Sequence, residues 1–350
     1  MFTNKPSLLV GVNVGLNSIH TLIVREEAGG KLRLMGEHRN RRFNTQRDKA
    51  GLVQRVLESI RRAITDARID WKDILTIGVA TPGQIDIDHG VVLFSPLFHI
   101  QRKEPFPLVS KLQEYFPAQH ITLINNDDAP GIAEQRIGEG KDIPDVVYLR
   151  VGYSIGACII IDGKLYTGMN NLAGAFGHMI VDLDGPQCRN CGNRGCLDVL
   201  ASRSAIEQNI VQRYRAGEKS MLAQSLDEQA PDISSAVLAE AIEEEDTLTW
   251  QVVEKAAEVL GIGIANLIDL MNPHKVILGG DVVDEIDLFF EKAKASACKT
   301  SLVSSSEGVS IVRGRLGTTA GAYGAMVFAK ERYYAHLAAY SDPGSMLPLT

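Results

Sequence analysis

At 350 residues the chain is long enough for two domains with sizeable cores. Its 45% hydrophobic and 23% charged residues make an ordinary globular balance, and a net charge of −7 argues against a broad nucleic-acid or anionic-membrane surface. No run approaches the ~20 apolar residues that span a bilayer, and the polar start, Met1–Ser7, has no secretory apolar core, so the expectation is a cytoplasmic protein.

Ser7 to Val24 reads as two strands of alternating apolar residues around the turn Gly15-Leu16-Asn17-Ser18. Lys31 to Arg41 continues as a strand. From Asp48 to Ala67, Leu52, Val53, Val56, Leu57, Ile60 and Ile64 share one helical face. Ile74 to Val79 is a short buried strand stopped by Thr81-Pro82-Gly83, and Leu108 to Phe116 is the next helix. A buried strand ends at Ile124 and a helix starts near Asp128 with Pro130 in its first turn. Asn126 and Asp127 fall at that junction. One reading makes Asp127 a rigidly held cleft carboxylate; the other makes Asp127 or Asp128 a helix cap. Asp145 to Gly163 is a strand, a glycine loop with Gly152 and Gly156, and a second strand. A lone glycine turn is weak evidence for phosphate binding.

Three of the five cysteines then fall close together, Cys188, Cys191 and Cys196, spaced C-x2-C-G-x2-G-C, with His178 ten residues upstream. Thiolates packed so closely suit one soft tetrahedral cation, and zinc with three sulfurs and one imidazole is the usual outcome. A disulfide is the rival, although three cysteines cannot all pair. Cys158 and Cys298 sit alone in apolar stretches, like buried core thiols. Ala201 to Tyr214 and Ser234 to Met271 read as helices, the acidic run Glu240–Asp246 as a solvated face. Lys275 to Leu278 is a buried strand leading into Gly279-Gly280-Asp281. Ser310 to Phe328 is a strand, a Gly/Thr turn and a small-residue helix.

The segment AGAFGH followed by CRNCGNRGCLD resembles the signature of the ROK family of bacterial sugar kinases and sugar-responsive repressors. The family pattern is roughly G-E-x-G-H, then C-x-C-G-x-x-G-C-x-E. Here Ala175 stands in place of the Glu, one extra residue separates Cys188 from Cys191, and Asp198 replaces the last Glu. The resemblance implies an α/β fold of two ribonuclease H-like domains, as in actin-like ATPases and hexokinases, flanking a cleft. It implies a small domain of residues 1–126 plus a returning helix at 317–335 and a large domain at 127–316 with the zinc loop at 178–196. Glu331 to Thr350 carries no family signal; residues 336–350 are expected to be a tail, and Tyr333, Tyr334 and Tyr340 to cover a neighbouring surface. The resemblance makes Asn126 a sugar ligand and Asp127 the general base on the accepting hydroxyl. It assigns His178 and Asp198 to the sugar as well, and the zinc a structural role.

On the nucleotide side it implies Gly15, Gly152, Gly156, Gly279 and Gly280 as ATP contacts. There the departures gather. Asn13 stands where the family's first turn has a magnesium-side Asp, Tyr153-Ser154 replace Thr-Gly, and Asp281 replaces a third glycine. In the sugar loop Ser95-Pro96-Leu97-Phe98 replaces P-N-L. Two functions follow. One is a sugar-binding, regulatory protein on the kinase fold with weak or absent kinase activity. The other is an ATP-dependent hexose 6-kinase, acting on glucose or an N-acetylhexosamine, with MgATP as its cofactor. Too few residues precede the first strand for a helix-turn-helix, so no direct nucleic-acid partner is expected. The resemblance suggests a homodimer or homotetramer.

Overall fold

Alternating apolar residues make strands where they are expected, and the strands gather into two sheets. The computed structural model describes residues 7–16, 18–40, 47–226 and 233–341. Asn17, Arg41, the Tyr340 side chain and residues 342–350 of the expected tail lie outside the described residues. The chain divides into two compact units: Met1–Arg136, Gly168–Leu172 and Thr319–Thr350 form one, and Ile137–Thr167 with Ala173–Thr318 form the other.

In the first unit, β1 (Leu8–Val14), β2 (Ile19–Glu26) and β3 (Leu32–Asn40) pair antiparallel, and β4 (Ile74–Thr81) and β7 (His120–Asn125) extend the sheet parallel to β1, in the order β3-β2-β1-β4-β7. A small hairpin, β5 (Gln84–Asp86) with β6 (Val91–Phe94), stands apart. Helix α1 (Lys49–Ala67) is capped by Asp48, whose carboxylate accepts the Gly51 N–H at 2.7 Å. It buries Leu52, Val56, Leu57 and Ile60 completely, roughly 1.5–3 kcal/mol for each such side chain. Helices α2 (Leu108–Gln113) and α3 (Asp128–Ile137) follow.

The C-terminal helix, Ala320–Ser341, packs on β1, β4 and β7. A Cβ on Gly11 or on Gly78 would collide with the carbonyl of Ala322 or Ala325, so the strands carry glycine where this helix lies against them. The helix begins and ends later than the expected 317–335 because residues 317–319 form a 3-10 turn and the Ala/Tyr/His sequence after Tyr334 continues the helix through Ser341. The Tyr333 ring packs edge-on to His120 at 5.7 Å and to Tyr334 at 5.5 Å. The boundary expected at 126/127 falls after Arg136, because the first turn of α3 is tied to this unit: a Cβ on Gly324 would strike the Ala129 carbonyl. Gly168–Leu172 joins the same unit, where Gln84 Nε2 donates to the Asn170 carbonyl at 3.2 Å.

The second unit repeats the arrangement. Strands β8 (Val146–Val151), β9 (Ile155–Ile161) and β10 (Lys164–Leu165) pair antiparallel, and β11 (Lys275–Gly279) and β12 (Ser310–Arg313) add parallel strands, in the order β10-β9-β8-β11-β12. Between them run α4 (Asp198–Ala201), α5 (Arg203–Arg215), α6 (Ala223–Leu226), α7 (Ser235–Glu243), α8 (Thr247–Met271), α9 (Asp281–Glu285), α10 (Asp287–Thr300) and α11 (Val303–Ser306). The helix expected from Ser234 to Met271 is broken at Glu244–Asp246, where Glu245 takes φ 60°. Asp246 is buried rather than solvated: its carboxylate accepts the N–H of Thr249 at 2.7 Å and of Met221 at 2.6 Å, capping α8. Burial opposes its ionisation, but these backbone donors outweigh it and hold its pKa below the ordinary value. Cys158 is a buried core thiol as expected. Cys298 is exposed, because it falls on the outward face of α10.

Candidate functional site

The metal loop begins where Gly174 and Gly177 bring the chain flat against β9. Ala157 donates to the Gly174 carbonyl at 3.0 Å, and a Cβ at either glycine would overlap the strand's backbone. A 3-10 turn, Phe176–His178, then buries Phe176 and leaves His178 exposed. After it the loop doubles back. Val181 donates to Gly195 (2.9 Å), Cys188 to Asn193 (2.7 Å) and Leu197 to Met179 (2.8 Å). Gly195, at φ 66°, faces the Asp182 carbonyl, which a Cβ would overlap. Only glycine fits there. Leu197 and Phe176 press on Gly263 of α8, which anchors the loop to the core.

This folding brings one ligand atom each from His178, Cys188, Cys191 and Cys196 within 4.8 Å of one another. Cys188 Sγ lies 3.8 Å from His178 Nδ1, and Cys191 Sγ lies 3.5 Å from Cys196 Sγ. Zinc bonds of roughly 2.3 Å to sulfur and 2.0 Å to nitrogen give a tetrahedron with edges of about 3.5–3.8 Å. A disulfide would need about 2.05 Å, and all five cysteines are free. The cluster could therefore hold a metal ion. The Asn193 amide is the leading cause that lowers the Cys191 thiol pKa, with Cys196 assisting against some desolvation, whereas burial first and the neighbouring Cys191 second push Cys196 up to about 12. A cation resolves this crowding by binding the sulfurs as thiolates and releasing their protons. With Nδ1 turned to the sulfurs, His178 keeps Nε2 for an outside partner.

Asp198 opens α4 just after the last cysteine. It is buried, and Oδ1 accepts the Ile155 N–H at 2.8 Å, so it fastens the metal loop to the start of β9. In the first unit, Asn126 and Asp127 stand half-buried between β7 and α3. The residue that shapes their turn is Asn125. Its Nδ2 donates to the Gly83 carbonyl at 2.7 Å and its Oδ1 accepts the Asp127 N–H at 2.7 Å. The sequence pattern ends the strand at Ile124 and passes over Asn125, whereas β7 runs through it; the side-chain amide two residues before an exposed turn N–H is the signal. Asp128 opens α3 beside Asp127. Desolvation of its carboxyl, then the Asp127 charge, raise its pKa well above the usual range. The segment Ser95–Phe98 closes on itself: Ser95 Oγ donates to the Pro82 carbonyl at 2.9 Å, and Phe98 is a fully buried anchor.

The expected nucleotide residues fall in both units. In the first, Gly15 closes the β1–β2 turn by donating to the Ser18 carbonyl at 2.7 Å. The Asn13 side chain lies against Gly321 of the C-terminal helix, its Oδ1 buried and without a hydrogen-bond partner among the described residues. In the second, Gly156 sits in β9 opposite Arg150. The missing side chains of Gly279 and Gly280 are used by the Tyr148 hydroxyl and the Val151 carbonyl, which pack against them. A Cβ on Gly152 would lie 2.6 Å from Asp281 Oδ1 and 3.2 Å from Arg150 Nη1. Asp281 Oδ2 accepts from Ser235 Oγ at 2.8 Å and stands 3.1 Å from Arg203 Nε, a charge contact rather than an aligned hydrogen bond. The Arg203 guanidinium is stacked on the half-exposed Tyr153 ring at 5.5 Å. Arg203 had no signal in the sequence.

Two α/β units of this topology, one carrying a His/Cys3 loop, define a protein of the hexokinase-like class with the actin-like, ribonuclease H-like fold. The ROK family profile matches residues 9–332, and the chain belongs to the ROK family. It is 30% identical over 286 residues to the xylose repressor of Caldicellulosiruptor bescii, covering 82% of this chain and 69% of that protein. It is 27% identical over 325 residues to the glucokinase of Thermotoga maritima, covering 93% and 98%. Among solved structures, a ROK glucokinase from Streptomyces griseus in complex with glucose and AMPPNP superposes with TM-score 0.78 at 26% identity, over 93% of this chain and 100% of that one. No described helix is long and apolar enough to cross a membrane.

Proposed function

We propose that this chain is a sugar-binding, regulatory ROK protein with weak or absent kinase activity, whose zinc ion, held by His178, Cys188, Cys191 and Cys196, is structural. Asn126 and Asp127 in the first unit, and His178 and Asp198 in the second, are the residues proposed to contact sugar. A zinc ion held there would fix the His178 ring through Nδ1 and leave Nε2 to donate to a sugar hydroxyl; the Asp127 carboxylate is an acceptor for such a hydroxyl. The observation that carries the reading is Asn13. Magnesium prefers carboxylate and water oxygens, and a neutral amide with its oxygen buried against the C-terminal helix brings no charge to it. Phosphoryl transfer rests almost wholly on positioning and charge neutralisation. Similarity to the xylose repressor supports the same reading.

A second reading, an ATP-dependent hexose kinase with Asp127 as general base, is supported by the retained Asp127 and by similarity along nearly the full length of a glucokinase. Two measurements on one preparation separate them. Calorimetric titration with glucose, xylose and N-acetylglucosamine should find a sugar that binds. A coupled ADP-release assay with that sugar should give turnover about 10²–10³-fold below the usual kinase range of about 1–100 s⁻¹. Turnover within that range establishes the kinase; no binding by any sugar ends both readings.

A further inference from the structure

The glycine loop between β8 and β9 is built like an anion seat whose occupant comes from the chain itself. Gly152 leaves its Cα face open, and Arg150 Nη1 is 3.2 Å from where a Cβ would stand. Arg203 approaches from α5: its backbone N–H donates to the Gly152 carbonyl at 2.8 Å, its Nη1 to the Ile233 carbonyl at 2.8 Å, and its side chain is only 11% exposed. Two guanidinium groups converge beside a glycine, a donor set that suits a phosphate. A carboxylate takes that place. Asp281 Oδ1 stands 2.6 Å from the Gly152 Cβ position, while Oδ2 takes Ser235 Oγ at 2.8 Å and the Arg203 charge at 3.1 Å. Glu207 lies farther off, 3.9 Å from Arg203 Nη1. The Tyr153 ring covers the guanidinium from outside.

We infer that Asp281 is an internal stand-in for a phosphate on the Gly152 loop, and that it, as a specificity-determining residue, excludes the phosphates of a nucleotide from this protein. The inference rests on the reading of weak or absent kinase activity and gives it a residue. An incoming phosphate meets a carboxylate already held by the Ser235 hydroxyl and the Arg203 charge, at the distance where like charges repel. Taking that carboxylate away removes the negative charge beside Gly152 while the Arg150 and Arg203 charges stay, which turns the local field towards an anion. Asp281 replaces the last of three glycines in the pattern the sequence resembles, so a side chain stands where that pattern has none.

The test titrates MgATP and inorganic triphosphate into the wild type, Asp281→Gly and Asp281→Asn. The asparagine keeps the shape and the Ser235 contact while losing the charge, so a folding defect in the glycine variant does not end the test. Both variants should bind both ligands about tenfold or more tightly than the wild type, the size of one charge-assisted contact. Arg150→Gln added to the responding variant should remove most of that gain. Variants that melt like the wild type and bind no better overturn the inference and leave the sugar-binding reading standing. A gain that ignores Arg150→Gln puts the anion elsewhere and overturns it too. Micromolar MgATP binding by the wild type sinks both the inference and the reading beneath it.

Discussion

Replacing Cys196 by serine tests the metal loop where it is most buried. Cys196 is fully buried, its Sγ is 3.5 Å from Cys191, and it is paired in an isolated bridge with Ile180. A hydroxyl oxygen is a shorter and harder donor than a thiolate and does not replace it on zinc. Structural zinc contributes about 10–16 kcal/mol at neutral pH in small domains, so one ligand of four carries roughly 3 kcal/mol. That is about a hundredfold in affinity. At a fixed free zinc concentration above both dissociation constants, the loss passes directly into stability by linkage. In a unit of this size, about 3 kcal/mol is about 6–12 °C in Tm. The assay is thermal unfolding in zinc buffers, with zinc content measured on the same samples. Wild-type protein should hold about one zinc per chain, and Cys196→Ser should melt lower by that amount. In excess chelator the two curves should draw together, because the term they differ by is gone. Cys298→Ser, on an exposed lone thiol, should change nothing. A gap that persists undiminished in chelator, or a wild type without zinc, refutes the metal-centre argument.

Two glycines of the loop should respond differently to alanine. Gly195→Ala places a Cβ on the Asp182 carbonyl and should abolish zinc retention, whereas Gly192→Ala meets open space at φ 81° and should cost about 1 kcal/mol with zinc kept, read by metal analysis and melting. Asp246→Ala removes the α8 cap and the Met221 contact and should cost about 1–2 kcal/mol at pH 7 in denaturant unfolding. The folded-state pKa of Asp246 is depressed, so its contribution is complete above the unfolded value of about 3.9 and fades as pH falls through the folded one; the gap between wild type and variant should close in acid. Asp128 has the opposite sign. Its folded pKa is raised, so the native state holds the proton longer, and stability falls as pH rises above about 4 towards that pKa. Asp128→Asn should therefore gain stability relative to wild type as pH rises from about 4 to 8; a gap that is flat with pH contradicts the desolvated carboxyl.

Local chemistry was legible and long-range chemistry was not. The His178, Cys188, Cys191 and Cys196 cluster could be read because three of its four residues fall within one short loop, where spacing is almost geometry. Strands and α1 could be read from apolar period alone. The break at Glu245 was not, since helix-forming residues run through it and only the tertiary fit of Asp246 to Met221 ends one helix and starts the next. Cys298 was misread because an Ala-rich helix stretch looks buried on either face. Arg203 and Ser235 gain their roles only when distant segments meet, and no periodicity announces that.

The two sheets carry the last step. Both have three antiparallel strands followed by two parallel ones, so a repeat that cannot be seen in the residues is plain in the strand order. What holds the repeat is burial and register, which many sequences satisfy. What holds a nucleotide is a few side chains at loop ends, each replaceable without disturbing a strand. Asn13 lies in β1 and still pairs in register with His20 and Ala80, and Asp281 still begins a helix after β11. Neither residue interrupts the strand pairing or the helix start beside it. Phosphate handling can therefore drift while the fold persists. The residues proposed for the sugar are more constrained: Asp198 also ties the metal loop to β9, and the Asp127 amide is held by Asn125. A carboxylate with two jobs is harder to lose than one with a single job. Asp198→Asn should consequently weaken zinc retention together with sugar binding, and a variant that loses only one of them would argue that the loop and the sugar site are independent.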